Sequence, residues 1–367
     1  MAVYLNGNEV EESQALDSAA ELLNRANLPL LAGLMTDVAG AEAAVTLAEE
    51  IGGVVDHASG GGLARANRLM REAGSTPVSL GELRNRSDLV IVLGKKPFEA
   101  DPDLLDKIFP GKKGLPRPGA APRRLVTLGA KPKKLPDAIE AKVIETRKTD
   151  LATAIGMLAA ATRKHPFGDT GKALPKELAD AAEMFREAAF SVFVYSPEEL
   201  DEPVLHVVLD MIRSLCDKNR SGLYTVPVRG NGDGVNLCSV WTCGLPMRTS
   251  FAHGDPVNDA WRFDANRMIE SGEADALVWI DAFGEGKTDA PKGLPTIALA
   301  VPGAVKPDAA DIVIEVAKPG VDHDAALYLA EISGLGMVKA KAGGSGLPTV
   351  ADVLRALSDR LKTTEAA

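Results

Sequence analysis

The sequence predicts an α/β protein made of two similar, doubly wound, mainly parallel-sheet domains. Short apolar runs ended by turn residues alternate with Ala- and Glu-rich amphipathic segments. The apolar runs are continuous, as in strands buried on both faces. The same succession of segments occurs twice along the chain. The length of 367 residues, with 46% hydrophobic and 25% charged residues, suits such a globular plan.

The first set of strands reads "PLLAGLM" (29–35), "GGVVDHA" (52–58), "SDLVIVLG" (87–94) and "RRLVTLG" (123–129). Between them, "ALDSAAELLNRAN", "AGAEAAVTLAEEIG" and "ARANRLMREAG" have helical periodicity. The second set reads "FSVFVYS" (190–196), "GLYTVPVRG" (222–230), "ADALVWIDAFG" (274–284), "PTIALAVPG" (295–303) and "ADIVIEVA" (310–317). The recurrence is partly literal. "AAELLNRANLPLLAG" (19–33) resembles "AAEMFREAAFSVFVY" (181–195), and "SDLVIVLG" has its counterpart in "ADALVWIDAFG". "RLVTLGAKPKKLPDAIEAKVIE" echoes "TIALAVPGAVKPDAADIVIEVA". Three matches in one order point to duplication. They place a first domain at 1–165 and a second at 166–340, divided near the polar stretch 163–177. Residues 341–367 form a tail with a terminal helix, N-capped by Thr349 and packed through Leu354, Leu357 and Leu361.

Composition excludes several classes. A net charge of −10, with only 3 Trp, 4 Tyr and 9 Phe, argues against nucleic-acid binding. No apolar run is long enough to span a membrane, and the acidic N-terminus lacks a signal-peptide pattern. Three cysteines suit a reducing cytoplasm, the expected location. One stretch departs from the acidic average. Gly111 to Lys134 carries Lys112, Lys113, Arg117, Arg123, Arg124, Lys131, Lys133 and Lys134 and no acid.

Motifs for chemistry are weak. Gly60, Gly61 and Gly62, in "DHASGGGLARAN", sit where a strand hands over to a helix, a place able to cradle phosphate. The dinucleotide fingerprint fails there, because position 65 is Arg, and no P-loop Lys-Ser/Thr pair follows. The glycines read as a turn. Cys238 and Cys243 cannot close a zinc site alone and read as free thiols. His206, in "PVLHVVLDMI", reads as a core residue. The loop "RGNGDGVN" (229–236) is the second half's counterpart of the glycine turn, at a strand end where parallel sheets bind ligands. No catalytic constellation and no metal site emerge.

Four segments carry a family resemblance: "LGELRNRSDLVIVLGKKPFEADP", "VPVRGNGDGVN", "WTCGLPMRTSFAHGDP" and "ESGEADALVWIDAFG". Over nearly its whole length the chain resembles the B subunit of formylmethanofuran dehydrogenases, within the molybdopterin/tungstopterin oxidoreductases. It is similar in particular to the B subunit of the bacterial formyltransferase/hydrolase complex of methylotrophs. The resemblance implies a formate dehydrogenase-like pair of sheet domains, here without a separate pterin-capping β-barrel.

The departures from the family pattern set the functional expectation. The family begins with a Cys-rich run holding a 4Fe–4S cluster, whereas this chain has no cysteine before Cys216. The family's metal-ligating Cys and the His after it follow an Ala-Ser pair. Here Ala58-Ser59 is followed by the three glycines, so a soft metal loses its ligand. Near the pterin the family has Gly, a small polar residue, Asn and Pro, where this chain has Gly94, Lys95, Lys96 and Pro97. A family Asp-Pro-Arg run is replaced at Leu128, Gly129, Ala130 and Lys131. Arg229 matches the family's active-site arginine.

The resemblance therefore implies an emptied pocket of Gly60, Gly61, Gly62, Lys95, Lys96, Arg229, Gly230 and Asn231. No cofactor is expected, the tungstopterin or molybdopterin and the iron–sulfur site being lost. The implied role is a non-catalytic, carrier-positioning subunit in one-carbon metabolism. Its assembly would convert formyl-tetrahydromethanopterin to formate through a formyl-methanofuran-like carrier. The implied partners are amidohydrolase-like A, C and formyltransferase D subunits, and the glutamate-rich carrier. The basic stretch Lys112–Lys134 would guide that polyanion by long-range attraction. An active pterin dehydrogenase subunit and an independent nucleotide-binding α/β enzyme are the alternatives.

Overall fold

A computed structural model describes residues 2–110, 123–137, 139–146, 149–166, 174–286, 293–341 and 343–365. The chain opens with β1 (Val3–Leu5), β2 (Asn8–Glu9), α1 (Glu12–Arg25), β3 (Pro29–Met35), α2 (Val38–Glu50) and β4 (Val54–Val55). Next come α3 (Gly60–Ala73), α4 (Leu80–Arg86), β5 (Leu89–Leu93), α5 (Lys96–Ala100), α6 (Leu104–Ile108), β6 (Arg124–Leu128) and β7 (Glu140–Ile144). They are followed by α7 (Leu151–Thr162), α8 (Leu174–Glu187), β8 (Phe190–Tyr195), α9 (Glu202–Cys216) and β9 (Arg220–Thr225). Then come α10 (Gly232–Cys243), β10 (Thr249–Ser250), β11 (Val257–Asn258), α11 (Ala265–Ser271), β12 (Ala276–Asp281), β13 (Thr296–Ala300) and β14 (Ile312–Glu315). The chain ends with β15 (Ala325–Leu329), β16 (Gly334–Val338) and α12 (Val350–Glu365).

Two compact units result, and they are not the two halves of the sequence. The first holds residues 1–64, 228–328 and 335–367; the second holds 65–227 and 329–334. The boundary expected near residue 165 falls inside the second unit, and the tail belongs to the first. The physical reason lies in strand pairing. In the first unit the parallel strands run β4-β3-β12-β13-β14, drawing β3 and β4 from the first half of the chain and the rest from the second. In the second unit they run β9-β8-β5-β6-β7, the converse mixture. The duplicated segments thus occupy equivalent places: α1–β3 matches α8–β8, and β12-β13-β14 matches β5-β6-β7. Counting the parallel strands alone, each half contributes its first two to one sheet and its last three to the other.

In the first unit the first parallel strand, β3, lies between the second and third, β4 and β12, as in a doubly wound sheet; the second unit has the same spatial order with β8 in the place of β3 and β5 in that of β12. The place where the order reverses, β3/β12 and β8/β5, is where such sheets open a crevice beyond the strand C-termini. Both faces are covered. Leu31, Val278 and Ile280 point to a core shared with α1, α2, α10 and α12, while Leu30, Ala32 and Leu277 pack on Phe263 and Met268. In the second unit Ile91, Val126 and Phe193 face α7, α8 and α9, and Val90, Val92 and Val194 face α4 and α6. Among the described residues no strands close into a barrel, and no helix is long and apolar enough to cross a membrane.

The terminal helix starts as its sequence predicts. Thr349 Oγ1 accepts from the Asp352 N–H at 3.2 Å, and the Asp352 carboxylate accepts from the Thr349 N–H at 3.0 Å, a reciprocal cap. Leu354, Leu357 and Leu361 are buried, each worth about 1.5–3 kcal/mol. His206 departs from its expected place. Its side chain is 38% exposed, with Nε2 3.9 Å from a Glu72 carboxylate oxygen. The apolar stripe of α9 is Leu205, Val208, Leu209 and Ile212, and His206 stands at its margin.

Candidate functional site

The triple glycine is not a turn. Gly60 is the first residue of α3, and the three glycines form its opening turn. Two of their amides are used within the chain: the Gly60 N–H donates to the His57 carbonyl at 2.8 Å, and the Gly62 N–H to that of Ser59 at 3.1 Å. Those two donors are not available to a phosphate.

What stands beside Gly60 is an ion-pair network invisible in the sequence. Asp56 follows β4 and is 2% exposed; Arg248 precedes β10 and is 9% exposed. Arg248 Nε lies 3.4 Å from Asp56 Oδ1. Its other nitrogens donate to the Asp264 carboxylate and the Ala260 carbonyl. Asp56 also accepts the backbone N–H groups of His57 and Ala265, each at 2.9 Å. Burial dominates the Asp56 carboxyl and pushes it up to about 6, against the pull of Arg248. A Cβ placed on Gly60 would collide with the Asp56 carboxylate and come within 3.0 Å of Arg248 Nε. Any side chain at position 60 would have to break the network.

His57 is equally buried. Its Nδ1 accepts from the Ser59 N–H at 3.0 Å, so the proton sits on Nε2, 3.5 Å from the Gly230 carbonyl. Burial holds its pKa down to about 4, so the ring is neutral at physiological pH. Gly230 and Asn231, from the second glycine loop, lie in the same unit. The Asn231 amide donates to the Thr36 carbonyl at 2.9 Å and its oxygen accepts from the Tyr328 N–H at 2.8 Å. The Gly230 N–H donates to the Glu285 carboxylate at 3.0 Å. Arg229 is exposed beside them.

Both crevices at the order reversals hold a carboxylate of the chain itself. In the first unit, Asp281 closes β12 and is fully buried. It accepts the N–H groups of Phe283, Gly284, Glu285 and Gly286 at 2.7–3.2 Å. In the second unit, Glu199, after β8, accepts the N–H groups of Lys95 and Lys96 at 3.0 and 2.7 Å. Gly94 has φ +79° there, and a Cβ on it would strike the Glu199 carboxylate. These six backbone donors, of the kind such crevices offer to an anionic ligand, are already taken. The Lys95 and Lys96 side chains both turn to Glu99, at 3.6 and 3.0 Å.

The residues of the expected pocket thus divide. Gly60, Gly61, Gly62, Arg229, Gly230 and Asn231 belong to the first unit, and Lys95 and Lys96 to the second. The basic stretch divides as well. Lys112, Lys113 and Arg117 lie outside the described residues. Arg123 and Arg124 serve the fold: Arg123 donates to the Ile108 carbonyl at 2.8 Å and stacks 4.3 Å over Phe109, and Arg124 pairs with Glu187 at 3.2 Å. Lys131, Lys133 and Lys134 line a cleft of about 430 Å³ together with Lys95.

No family profile matches the chain. Individual relatives do. The chain is 29% identical to the B subunit of the formyltransferase/hydrolase complex Fhc of Methylorubrum extorquens, over 89% of this chain and 88% of that one. The X-ray structure of that complex, FhcABCD with methylofuran, contains a chain that superposes with a TM-score of 0.86 at 28% identity, covering 100% of both. The chain is therefore similar over nearly its whole length to the B subunit of the Fhc complex. The B subunit of the tungsten-containing formylmethanofuran dehydrogenase 2 of Methanocaldococcus jannaschii is 27% identical over 74% of this chain. The Methanococcus maripaludis counterpart is 25% identical over the same share. The chain spans 64% of the length of each of these tungsten-containing relatives.

The residues of this chain do not fit the metal or the cluster that the resemblance implies for its dehydrogenase relatives. Three cysteines cannot supply the four thiolates of a 4Fe–4S cluster. None of them is at the Gly60 turn. Cys238 and Cys243 lie within α10, and Cys216 ends α9. Burial raises the Cys238 thiol to about 11, which makes it a poor ligand. The groups that do face Gly60 are a carboxylate and a guanidinium, and neither is a soft donor.

Proposed function

We propose that this chain is the B-type subunit of a formyltransferase/hydrolase assembly, a structural and carrier-positioning component that carries out no redox step. Its partners are then the amidohydrolase-like and formyltransferase subunits, and its ligand a methanofuran-type carrier with a glutamate-rich tail. The observation that carries this reading is the Asp56–Arg248–Asp264 network beside Gly60. The position at which the family's dehydrogenases place a metal-ligating side chain is filled here by a buried ion pair. The support is chemical. A thiolate at position 60 would need the volume of the Asp56 carboxylate, and a second anion there would face Asp56 and Asp264.

The active-dehydrogenase alternative requires a ligand set that the described residues do not offer. The nucleotide-binding alternative requires free backbone donors at a strand-end crevice, and Asp281 and Glu199 hold four and two such donors in the two units.

Native co-purification tests the assembly. A tagged chain isolated from its own cells should bring the other subunits in constant ratio through size exclusion, identified by mass spectrometry. A stable, catalytically active monomer would overturn the reading.

A further inference from the structure

We propose that Glu72, Glu202 and His206 form a binding site for a divalent transition metal of the zinc class in the second unit. One ligand atom from each lies within 4.8 Å of the other two. Apolar packing brings them together. Leu69 of α3 and Leu205 of α9 are buried in one core, and the Arg213 guanidinium donates to the Ala73 carbonyl where α3 ends. Glu202 and His206 are four residues apart on α9, so they stand on one face in successive turns. Glu72 completes the triangle from the last turn of α3.

Two features set this cluster apart from a surface ion-pair network. The first is the imidazole. Among the described residues the His206 ring makes no hydrogen bond. Its Nε2 faces Glu72 Oε2 from 3.9 Å, too far for a hydrogen bond. A gap of that size between an imidazole nitrogen and a carboxylate oxygen suits a shared cation. Zinc bonds of about 2.0–2.2 Å put tetrahedral ligand atoms about 3.3–3.5 Å apart. Rotation of partly exposed Glu and His side chains closes the difference. The second feature is how the carboxylates are held. Arg68 Nε and Arg71 Nη2 both reach Glu72 Oε1, at 3.2 and 3.5 Å, and Arg68 Nη1 reaches Glu202 Oε2 at 3.2 Å. Glu72 is thereby fixed through one oxygen with the other turned to His206, as outer donors fix ligating carboxylates. The two guanidinium groups also offset the two carboxylate charges, so no excess of negative charge draws hard cations. Magnesium and calcium take all-oxygen sets, whereas an imidazole among the donors favours zinc. Three protein ligands leave a fourth position to water. The bound ion ties the end of α3 to the start of α9.

The test uses the full-length protein, stripped with a chelator and titrated with zinc alone in competition with a chromophoric chelator. One zinc should bind per chain and raise the melting temperature. His206→Asn removes the nitrogen donor and leaves both carboxylates in place. It should weaken binding about tenfold or more, as should Glu72→Gln. Cys216→Ser and His253→Asn, at exposed positions outside the cluster, should change it less than about twofold, the scatter of sites that hold no ligand. A large excess of magnesium should not displace the zinc. The metal-free variants should melt with the wild type, and Glu202→Gln replaces any that does not. Failure of the wild type to bind zinc would overturn the proposal. So would wild-type affinity in His206→Asn, or an equal loss in the His253→Asn control. Displacement by magnesium would overturn the assignment to a transition metal.

Discussion

Arg248 Nε sits 3.4 Å from Asp56 Oδ1, and the pair occupies the space that any side chain on Gly60 would need. The two residues are 192 positions apart and meet because β10 pairs antiparallel with β4, bringing the residue before one strand to the residue after the other. One backbone pairing thus turns a glycine into a structural requirement.

Two adjacent glycines should therefore respond differently. Gly60→Ala forces apart a buried ion pair and should cost about 2–4 kcal/mol, between overpacking and loss of a paired charge. At Gly61 a Cβ would meet Arg248 only at 3.6 Å, ordinary contact. Gly61→Ala should be neutral or stabilise by about 0.4–1 kcal/mol through reduced unfolded-state entropy. Urea denaturation of the two variants checks the contrast, and equal effects would contradict the geometry.

Removing one partner of the network should hurt more than removing both charges. Arg248→Met leaves Asp56 buried and unpaired and should destabilise by about 3–5 kcal/mol. Asp56→Asn combined with Arg248→Met should cost less than the sum of the single changes, by about 0.5–3 kcal/mol. A double-mutant cycle in urea measures that coupling, and strict additivity would mean that the two side chains do not interact.

The buried pair of neighbours Asp56 and His57 gives opposing pH dependences. His57 is held down to about 4, so its contribution is present above its ordinary value of about 6.5 and is lost as pH falls towards 4. Asp56 is held up to about 6, so its contribution is present below 3.8 and is lost as pH rises through 6. Between pH 6.5 and 4 the two partly cancel. His57→Asn keeps an acceptor for the Ser59 N–H but cannot be protonated. On going from pH 7 to 4.5 it should retain about 2–3 kcal/mol more stability than the wild type, relative to its own value at pH 7. Thermal melts at the two pH values read the difference, and parallel losses would contradict it.

At the other order reversal, Glu199→Gln should release one of the two backbone bonds at Lys95 and Lys96, since an amide NH₂ cannot accept. The expected loss is about 1–2 kcal/mol. Gly94→Ala should lose more, because it combines a left-handed φ of +79° with collision against Glu199. Chemical denaturation of both variants tests the order, and a Gly94→Ala protein as stable as the wild type would contradict it.

Much of the fold is legible in the sequence, and the exceptions are physical. Continuous Val/Ile/Leu runs such as "LVIVL" and "ALVWI" name their own strands, and the matched segments name which strands are equivalent. They do not say which sheet each joins, because a parallel strand buried on both faces carries no partner code. Hence the halves were legible and their interleaving was not. The glycines at 60–62 were legible as unusual, but the reason lies in Asp56 and Arg248. Arg248 was visible within "PMRTS" without any local sign that it faces residue 56. The cations of the basic stretch are legible as charge. Their division into fold-bound Arg123 and Arg124 and the cleft-lining Lys131, Lys133 and Lys134 needed the packing of Phe109, Ile108 and Glu187.

The central claim, that an ion pair has taken the place of a metal ligand, is tested most directly by elemental analysis of the natively purified protein. Tungsten, molybdenum and iron should all stand at background per chain. Near-stoichiometric tungsten or molybdenum retained through size exclusion would contradict it.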